Sequence, residues 1–211
     1  MRKGIIIAGG TISGDISEYL NENDFIVCAD SGYKYAFSKG IKPNLIIGDF
    51  DSAEIPADFP EIIKLNIDKN DTDTQHCIDY LKSINIKDII IFGATGGDRI
   101  DHTFANFQLL EYGDNKGLNI TLINENSKIS LLNKGTLKIK GNISDIVSVF
   151  ALNIAEGVTY SGLKYPLNNG IIKSDNPYGI SNELVETEGF IKVKKGKLLI
   201  IYTGGGNIEK Q

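Results

Sequence analysis

Cysteine and histidine are scarce in this 211-residue chain, with two of each. Cys28 and Cys77 lie far apart in apolar or helical surroundings, so neither a disulfide framework nor a Cys/His zinc constellation can be built. That pattern suits a reducing cytoplasm. Positive charge is short as well: 22 Lys and Arg stand against 27 Asp and Glu, giving a formal net charge of -5 and a pI near 5.1. A nucleic-acid partner held by phosphate neutralisation is thereby argued against, because such binders carry a basic face. Long hydrophobic runs are also missing. The run Gly4-Ile5-Ile6-Ile7-Ala8 after Met1-Arg2-Lys3 is broken at Gly9-Gly10, too short for a signal core or a membrane span, and reads as a first strand with no membrane partner. Low-complexity segments, long charge blocks and internal repeats are absent too. The 41% hydrophobic content leaves an ordinary globular chain with room for a sizeable core in one large domain or two small ones.

Six short apolar runs occupy the first part of the chain: Gly4 to Ala8, Phe25 to Ala29, Leu45 to Ile47, Ile62 to Leu65, Asp88 to Phe92 and Ile120 to Ile123. Helix-like segments lie between them at Ile16 to Leu20, Lys34 to Ser38, Thr74 to Ile84 and Thr103 to Tyr112. This alternation predicts an α/β unit with a mostly parallel sheet and flanking helices. After about Asn126 the helical stretches give way to short alternating runs such as Lys128 to Leu131, Thr136 to Lys140 and Phe190 to Lys194, separated by Gly, Asn and Ser clusters that include Lys195-Gly196 and Gly204-Gly205-Gly206. Hairpins and a second, antiparallel all-β domain are expected there. The boundary divides the chain into residues 1–125 and 126–211.

In an open parallel sheet, ligands bind outside the carboxyl ends of the strands. Strand three ends in Gly48-Asp49-Phe50-Asp51-Ser52. Extended backbone would hold the two carboxylates about 7 Å apart, at roughly 3.3 Å per residue. A turn, which Gly48 permits, converges them onto one hard cation, whose oxygen ligands sit at about 2.0–2.1 Å for magnesium. An isolated Asp-x-Asp also suits a solvated loop. Strand two runs into Asp30-Ser31-Gly32, where Ser31 is a natural N-cap and Asp30 suits an Asx turn. Strand four is followed by Asp68-Lys69-Asn70-Asp71-Thr72-Asp73-Thr74-Gln75. There Thr72 and Gln75 have capping-box spacing and Asp73 lies in a first turn. Strand five opens into Gly93-Ala94-Thr95-Gly96-Gly97-Asp98-Arg99-Ile100-Asp101-His102. Its glycines allow close approach to phosphate without matching the P-loop or dinucleotide pattern, and Asp101 also suits an N-cap.

Joint placement weighs against four independent structural roles. Each pair of like charges among Asp49, Asp51 and Asp73 at 4 Å costs about 1 kcal/mol in water, or roughly 4 at an effective dielectric near 20. Mg²⁺ with a polyphosphate, helped by Arg99 and Lys69, supplies the missing positive charge.

At these residues the chain resembles the bacterial thiamine pyrophosphokinases. The likeness is carried by Asp30-Ser31-Gly32, Gly48 to Ser52, Lys69 through Asp73 and Gly93 to His102. It continues through Ser161-Gly162-Leu163-Lys164-Tyr165-Pro166-Leu167 and Ser181-Asn182-Glu183. Asn70 stands where the family often has aspartate, and the glycine loop is one residue longer than its familiar form.

The resemblance implies transfer of the pyrophosphoryl group of ATP to the hydroxyl of thiamine, giving thiamine diphosphate and AMP. It implies Mg²⁺ on Asp49, Asp51 and Asp73, and catalytic roles for Asp73, Arg99 and Asp101, either carboxylate being a candidate proton acceptor. It implies an ATP site of Asp30, Ser31, Gly32, Ser52, Lys69, Thr72, Thr95, Gly96, Arg99 and His102. Residues 1–125 would then be the ATP/Mg domain and 126–211 a β-sandwich-like thiamine domain offering Tyr165, Ser181 and Asn182. The implied assembly is a homodimer with its substrate site at the subunit interface. For the β-domain residues, ordinary turn chemistry is the alternative. For the whole chain the rivals are a pyrophosphokinase acting on another alcohol, such as a hydroxymethyl-pterin, and a non-catalytic Mg-nucleotide sensor. Cys28 and Cys77 are expected in the core, and His76 at the surface or satisfied within it.

Overall fold

The computed structural model describes residues 2–50, 61–66, 71–97 and 99–211. They fall into two compact units, Met1–Glu125 and Asn126–Gln211.

In the first unit, strands β1 (Gly4–Ile7), β2 (Phe25–Ala29), β3 (Leu45–Gly48), β4 (Ile62–Lys64), β5 (Asp88–Phe92) and β6 (Asn119–Ile123) form an all-parallel sheet in the order β6-β5-β1-β2-β3-β4. Helices α1 (Gly32–Ser38), α2 (Asp73–Ser83) and α3 (Ile100–Asn115) supply the layers on either side. Alternation along β1 separates them. Ile5 and Ile7 join Cys28, Ile46, Phe92 and Ile123 in a core with Tyr33 and Ala36 of α1. Gly4 faces the opposite way, toward Leu81 of α2. Helix α3 shares that second face: its Gly113 is pressed against Ile120, and Asp79 of α2 accepts from Tyr112 Oη (2.6 Å) of α3 and from Nζ of Lys116 (2.5 Å), the residue that caps its C-terminus. Covered on both faces, the strands read as continuous Ile/Val runs, as buried parallel strands do. Each such side chain contributes about 1.5–3 kcal/mol on burial.

The expected helix over Ile16 to Leu20 is a single 3₁₀ turn, Ser17–Tyr19. Its Ile16 and Tyr19 pack onto the α1 face of the sheet. Both cysteines are buried free thiols, and burial pushes Cys28 up to about 12. His76 departs from expectation, since its Nε2 is buried with no hydrogen-bond partner among the described residues.

The second unit is antiparallel. Strands β7 (Ser127–Lys140) and β12 (Glu188–Thr203) pair along most of their length. The first half of β12 also pairs with β9 (Ile154–Ser161), which carries β10 (Leu167–Lys173). Its second half pairs with β8 (Ile146–Ala151), which carries β11 (Asn182–Glu183). Strand β13 (Asn207–Lys210) lies on the far half of β7. Inward residues from both halves, including Leu137, Ile139, Ile191 and Val158 with Val147, Leu198, Ile200 and Tyr202, meet in one core, the arrangement of a sandwich. Lys195-Gly196, expected as a hairpin turn, instead sits inside β12, where the register shifts between Val193 and Lys197. Lys134 (φ 55°) and Gly135 (φ 98°) make the matching irregularity in β7. The Gly204 to Gly206 cluster does turn the chain, from β12 into β13.

Candidate active site

The strand order of the first unit reverses beside β1, which pairs with β2 on one side and β5 on the other. The chains leaving β1 and β5 therefore part at their carboxyl ends, where open α/β sheets bind ligands. A cleft of about 500 Å³ opens there, lined by the ends of β1, β2 and β5 and by the starts of α2 and α3.

An acidic cluster has formed at the tips of β2 and β3. One carboxylate oxygen from each of Asp30, Asp49 and Asp73 lies within 4.8 Å of the others. The parallel register sets Ala29 opposite Ile47, and the Asp30 N–H donates to Ile47 O at 2.8 Å. Asp30 and Asp49 thus leave neighbouring strands side by side. The approach is close enough that a Cβ on residue 48 would stand 3.0 Å from Asp30 Cα, a space that glycine leaves open. Asp30 itself adopts φ 46°, a conformation that non-glycine residues hold at some strain and that recurs at functional sites. Its Oδ1 is buried with no hydrogen-bond partner among the described residues. A buried carboxylate oxygen without a donor is expensive, and three carboxylates repel one another. A hard cation with oxygen ligands meets both demands, so the donor set fits magnesium.

Asp73 is brought there by α2. Thr72 has extended backbone and its Oγ1 accepts from Gln75 N at 3.2 Å, the expected N-cap. Gln75 turns its side-chain amide to Asp71 Oδ1 (3.0 Å). That leaves Asp73 as the first helical residue, where the dipole favours negative charge.

Past β5 the chain adopts left-handed backbone at Gly93, Gly96 and Gly97 (φ 69°, 89° and 85°). Phe92 O, Gly93 O and Ala94 O accept from Ala8 N (2.8 Å), Gly10 N (3.1 Å) and Asn106 Nδ2 (2.7 Å). The N–H groups from Ala94 to Gly97 donate to no group among the described residues. Successive free amides in such a turn form an anion-binding concavity. At its far end Arg99 donates Nε and Nη2 to Asp101 Oδ1 and Oδ2 (2.9 and 2.6 Å). This exposed pair holds the Asp101 carboxyl down at about 2, which makes it a poor proton acceptor near neutral pH. The pair also changes the local roles: Arg99 takes the N-cap position of α3, and Asp101, read as a possible cap, is its second residue.

Of the residues singled out from sequence, Asp30, Ser31, Thr72, Asp73, Gly96, Arg99 and His102 line the cleft. Asp30, expected at the nucleotide, is also a member of the carboxylate cluster. Ser31 occupies the N-cap of α1 without a side-chain cap bond, its Oγ lying close against Gly9. Gly32 is buried over Ile7 O. Thr95 is buried, and Asn124 Nδ2 donates to its hydroxyl at 3.2 Å. Asp51, Ser52 and Lys69 lie outside the described residues. Gly9, Gly10, Thr11, Thr74 and Asn106 also line the cleft and were missed. Gly9-Gly10 carried a signal, since the pair follows a strand as directly as the acidic clusters do.

In the second unit Asn182 is buried, and its Oδ1 accepts from Tyr165 N and Glu183 N (both 2.9 Å) while Nδ2 donates to Tyr165 O (2.8 Å). It clamps the Tyr165 backbone, and Tyr165 is 60% exposed. Ser181 has φ 58°, and its N–H donates to Ser148 Oγ at 3.0 Å.

Two family profiles match this chain: "Thiamin pyrophosphokinase, catalytic domain" over residues 16–122, and "Thiamin pyrophosphokinase, vitamin B1 binding domain" over residues 134–198. A thiamine pyrophosphokinase of Bacillus subtilis is 34% identical over 209 residues, covering 93% of this chain and 96% of that protein. A crystal structure of thiamine pyrophosphokinase from B. subtilis superposes with a TM-score of 0.85 at 29% identity, covering 97% of this chain and all of that one. The thiamin pyrophosphokinase of Geobacillus thermodenitrificans gives 0.83 at 27% identity, covering 97% and 98%. No helix among the described residues is long and apolar enough to cross a membrane.

Proposed function

This chain belongs to the thiamine pyrophosphokinase family, and from that premise we propose how its own residues carry out pyrophosphoryl transfer from ATP to thiamine. The thiamine hydroxyl oxygen forms a bond to the β-phosphorus, the bond from that phosphorus to the α,β-bridging oxygen breaks, AMP leaves, and the hydroxyl proton passes to a base. The observation that carries the reading is one cleft lined by Asp30 and Asp73 of a three-carboxylate cluster, with a buried Asp30 oxygen and a loop of amides that have no partner among the described residues.

Asp30, Asp49 and Asp73 would hold Mg²⁺, which when bound neutralises polyphosphate charge and orients it. The Ala94 to Gly97 amides receive phosphate oxygens, preorganised donors of the kind that stabilise developing charge. Arg99 reaches the phosphates by exchanging one charged partner, Asp101, for another, which its planar fork suits. Asp73 lines the cleft and is the better candidate for proton acceptor than Asp101, whose carboxyl the Arg99 hydrogen bonds hold down. Asp51, Ser52, Lys69, Ser31, Gly32, Thr95 and His102 keep the nucleotide and metal roles that the family resemblance implies. Tyr165, exposed and held by Asn182, offers a stacking face to thiamine's rings, and Ser181 is set beside it in sequence with Asn182.

The assembly proposed is a homodimer with the thiamine site completed across subunits. Ile171, Tyr178 and Ile180, each at least half exposed, give the second unit apolar surface for a second copy. The two free thiols suit the cytoplasm.

Incubation with MgATP and thiamine, with AMP and thiamine diphosphate quantified, tests the reading. One AMP per thiamine diphosphate is expected. AMP release that depends on a hydroxymethyl-pterin and not on thiamine would overturn the substrate. Nucleotide binding without turnover on either alcohol would leave a sensor.

A further inference from the structure

We propose that Asn106 and Asn124 are positioning residues that set the glycine loop for its anion before the anion arrives. The proposal rests on the reading of that loop as a polyphosphate cradle. Backbone bonding from the end of β1 stops at Gly93: Phe92 O and Gly93 O are taken by Ala8 N and Gly10 N, bonds that nearly any sequence makes. Beyond that point the hold passes to two side chains from different elements. Asn106, in the second turn of α3, donates to Ala94 O at 2.7 Å, and Asn124, just past β6, donates to the Thr95 hydroxyl at 3.2 Å.

The peptide geometry says what this controls. In a trans peptide the carbonyl of Ala94 and the N–H of Thr95 point in opposite directions. Fixing the carbonyl on Asn106 therefore fixes the N–H away from it. Were the carbonyl released, rotation of that one peptide unit would exchange donor for acceptor and turn a negative dipole end toward the polyphosphate. The chemistry of the side chain matters as well. A lysine or arginine at residue 106 would take a phosphate instead of the carbonyl, and a carboxylate has no hydrogen to donate. A neutral amide holds the loop without competing for the ligand. Ala94 and Thr95 are both buried; Asn124, itself exposed, reaches the Thr95 hydroxyl from the end of β6, while Asn106 lines the cleft.

Asn106→Leu keeps the size and removes the donor. We expect affinity for a non-hydrolysable MgATP analogue, measured by calorimetry without thiamine, to fall about tenfold, the equivalent of 1.4 kcal/mol. KM for MgATP should rise in parallel, KM for thiamine should stay the same, and thermal stability should fall modestly, since Ala94 O loses its donor. Asn124→Ala should weaken analogue binding less, Thr95→Val, which also loses the nucleotide role assigned to Thr95, at least as much as Asn124→Ala, and the double variant should match Thr95→Val, because the Asn124 effect on the loop runs through the Thr95 hydroxyl. Wild-type analogue affinity in Asn106→Leu, or additive Asn124 and Thr95 effects, would overturn the positioning role while leaving the enzymatic reading intact. If wild-type protein binds no MgATP analogue, the cradle and this proposal fall together. If Asn106→Leu does not fold, the Asn124/Thr95 cycle decides.

Discussion

Asp30 in the first unit and Asp145 in the second both flank a strand, Asp30 just after β2 and Asp145 just before β8, yet their surroundings are opposite. Asp145 Oδ2 accepts from Asn142 N (2.8 Å) and Tyr202 Oη (2.5 Å), and Tyr202 Oη in turn accepts from Gly206 N (2.8 Å). Three segments of the sandwich are closed on one carboxylate, and burial raises the Tyr202 phenol to about 12. Asp30 has left-handed backbone, an oxygen with no donor among the described residues and two carboxylate neighbours. A side chain whose partners are all inside the fold stabilises it. One whose partners are missing is retained for something that binds, and the folded state bears the strain until then.

The comparison breaks most visibly through activity. Asp73→Asn and Asp30→Asn should each lower kcat/KM on the order of 100-fold or more, the scale of losing one preorganised electrostatic contact in a transition state. The melting temperature without metal should hold or rise, because each change relieves like-charge repulsion. A parallel loss of activity and stability would mean that Asp30 is no different in kind from Asp145.

Magnesium should sharpen the contrast. At about 100 times its dissociation constant a ligand stabilises by roughly 2.7 kcal/mol, and for a chain of this size each kcal/mol moves the melting temperature about 2–4 °C. Thermal scans of wild type with and without Mg²⁺ should differ by several degrees, and the difference should vanish in Asp30→Asn. An Asp145→Ala variant should keep the magnesium shift while losing about 1–3 kcal/mol in urea unfolding, the penalty for unmaking a buried hydrogen-bonded pair, with turnover per folded molecule unchanged.

The smallest effect belongs to the exposed Arg99–Asp101 pair. The Asp101 carboxyl is lowered from the usual 3.8 to about 2 by the Arg99 hydrogen bonds. A depressed carboxyl contributes stability that is fully present above its unfolded value and is lost as pH falls through the folded one. Any contribution should therefore disappear between about pH 4 and pH 2 and be weakened by salt. Acid titration of stability in wild type and Asp101→Asn should diverge only in that window. Divergence near neutral pH would mean that another group is coupled to the pair.

Much of this was legible in sequence, and the gaps have physical causes. Phe25–Ala29 and Asp88–Phe92 were read to the residue because buried parallel strands are unbroken Ile/Val runs bounded by polar turns. Strands β7 and β12 were each divided in two, because a bulge and a turn use the same left-handed glycine, and the sequence around Gly135 and Gly196 does not say whether the partner strand continues. Metal-ligand roles were expected of Asp49, Asp51 and Asp73 from their places after strands; Asp49 and Asp73 stand in one carboxylate cluster with Asp30, and Asp51 lies outside the described residues. Asp30's share in it depended on the register between β2 and β3, a non-local fact. Asn106 and Asn124 gave no local signal at all, since each matters only through a loop distant from it in sequence.

One consequence remains at Gly48. Its missing Cβ is what lets β3 pass within van der Waals reach of Asp30, so main chain, not rotamer choice, gauges the opening between Asp30 and Asp49. Replacing glycine with alanine often stabilises a protein by restricting the unfolded chain; here the same methyl would pry two strand tips apart. A wider opening favours a larger, less exacting ion over one that demands near-ideal short-range octahedral geometry. In this protein the discrimination between magnesium and calcium would thus be written in a hydrogen atom that bonds to neither.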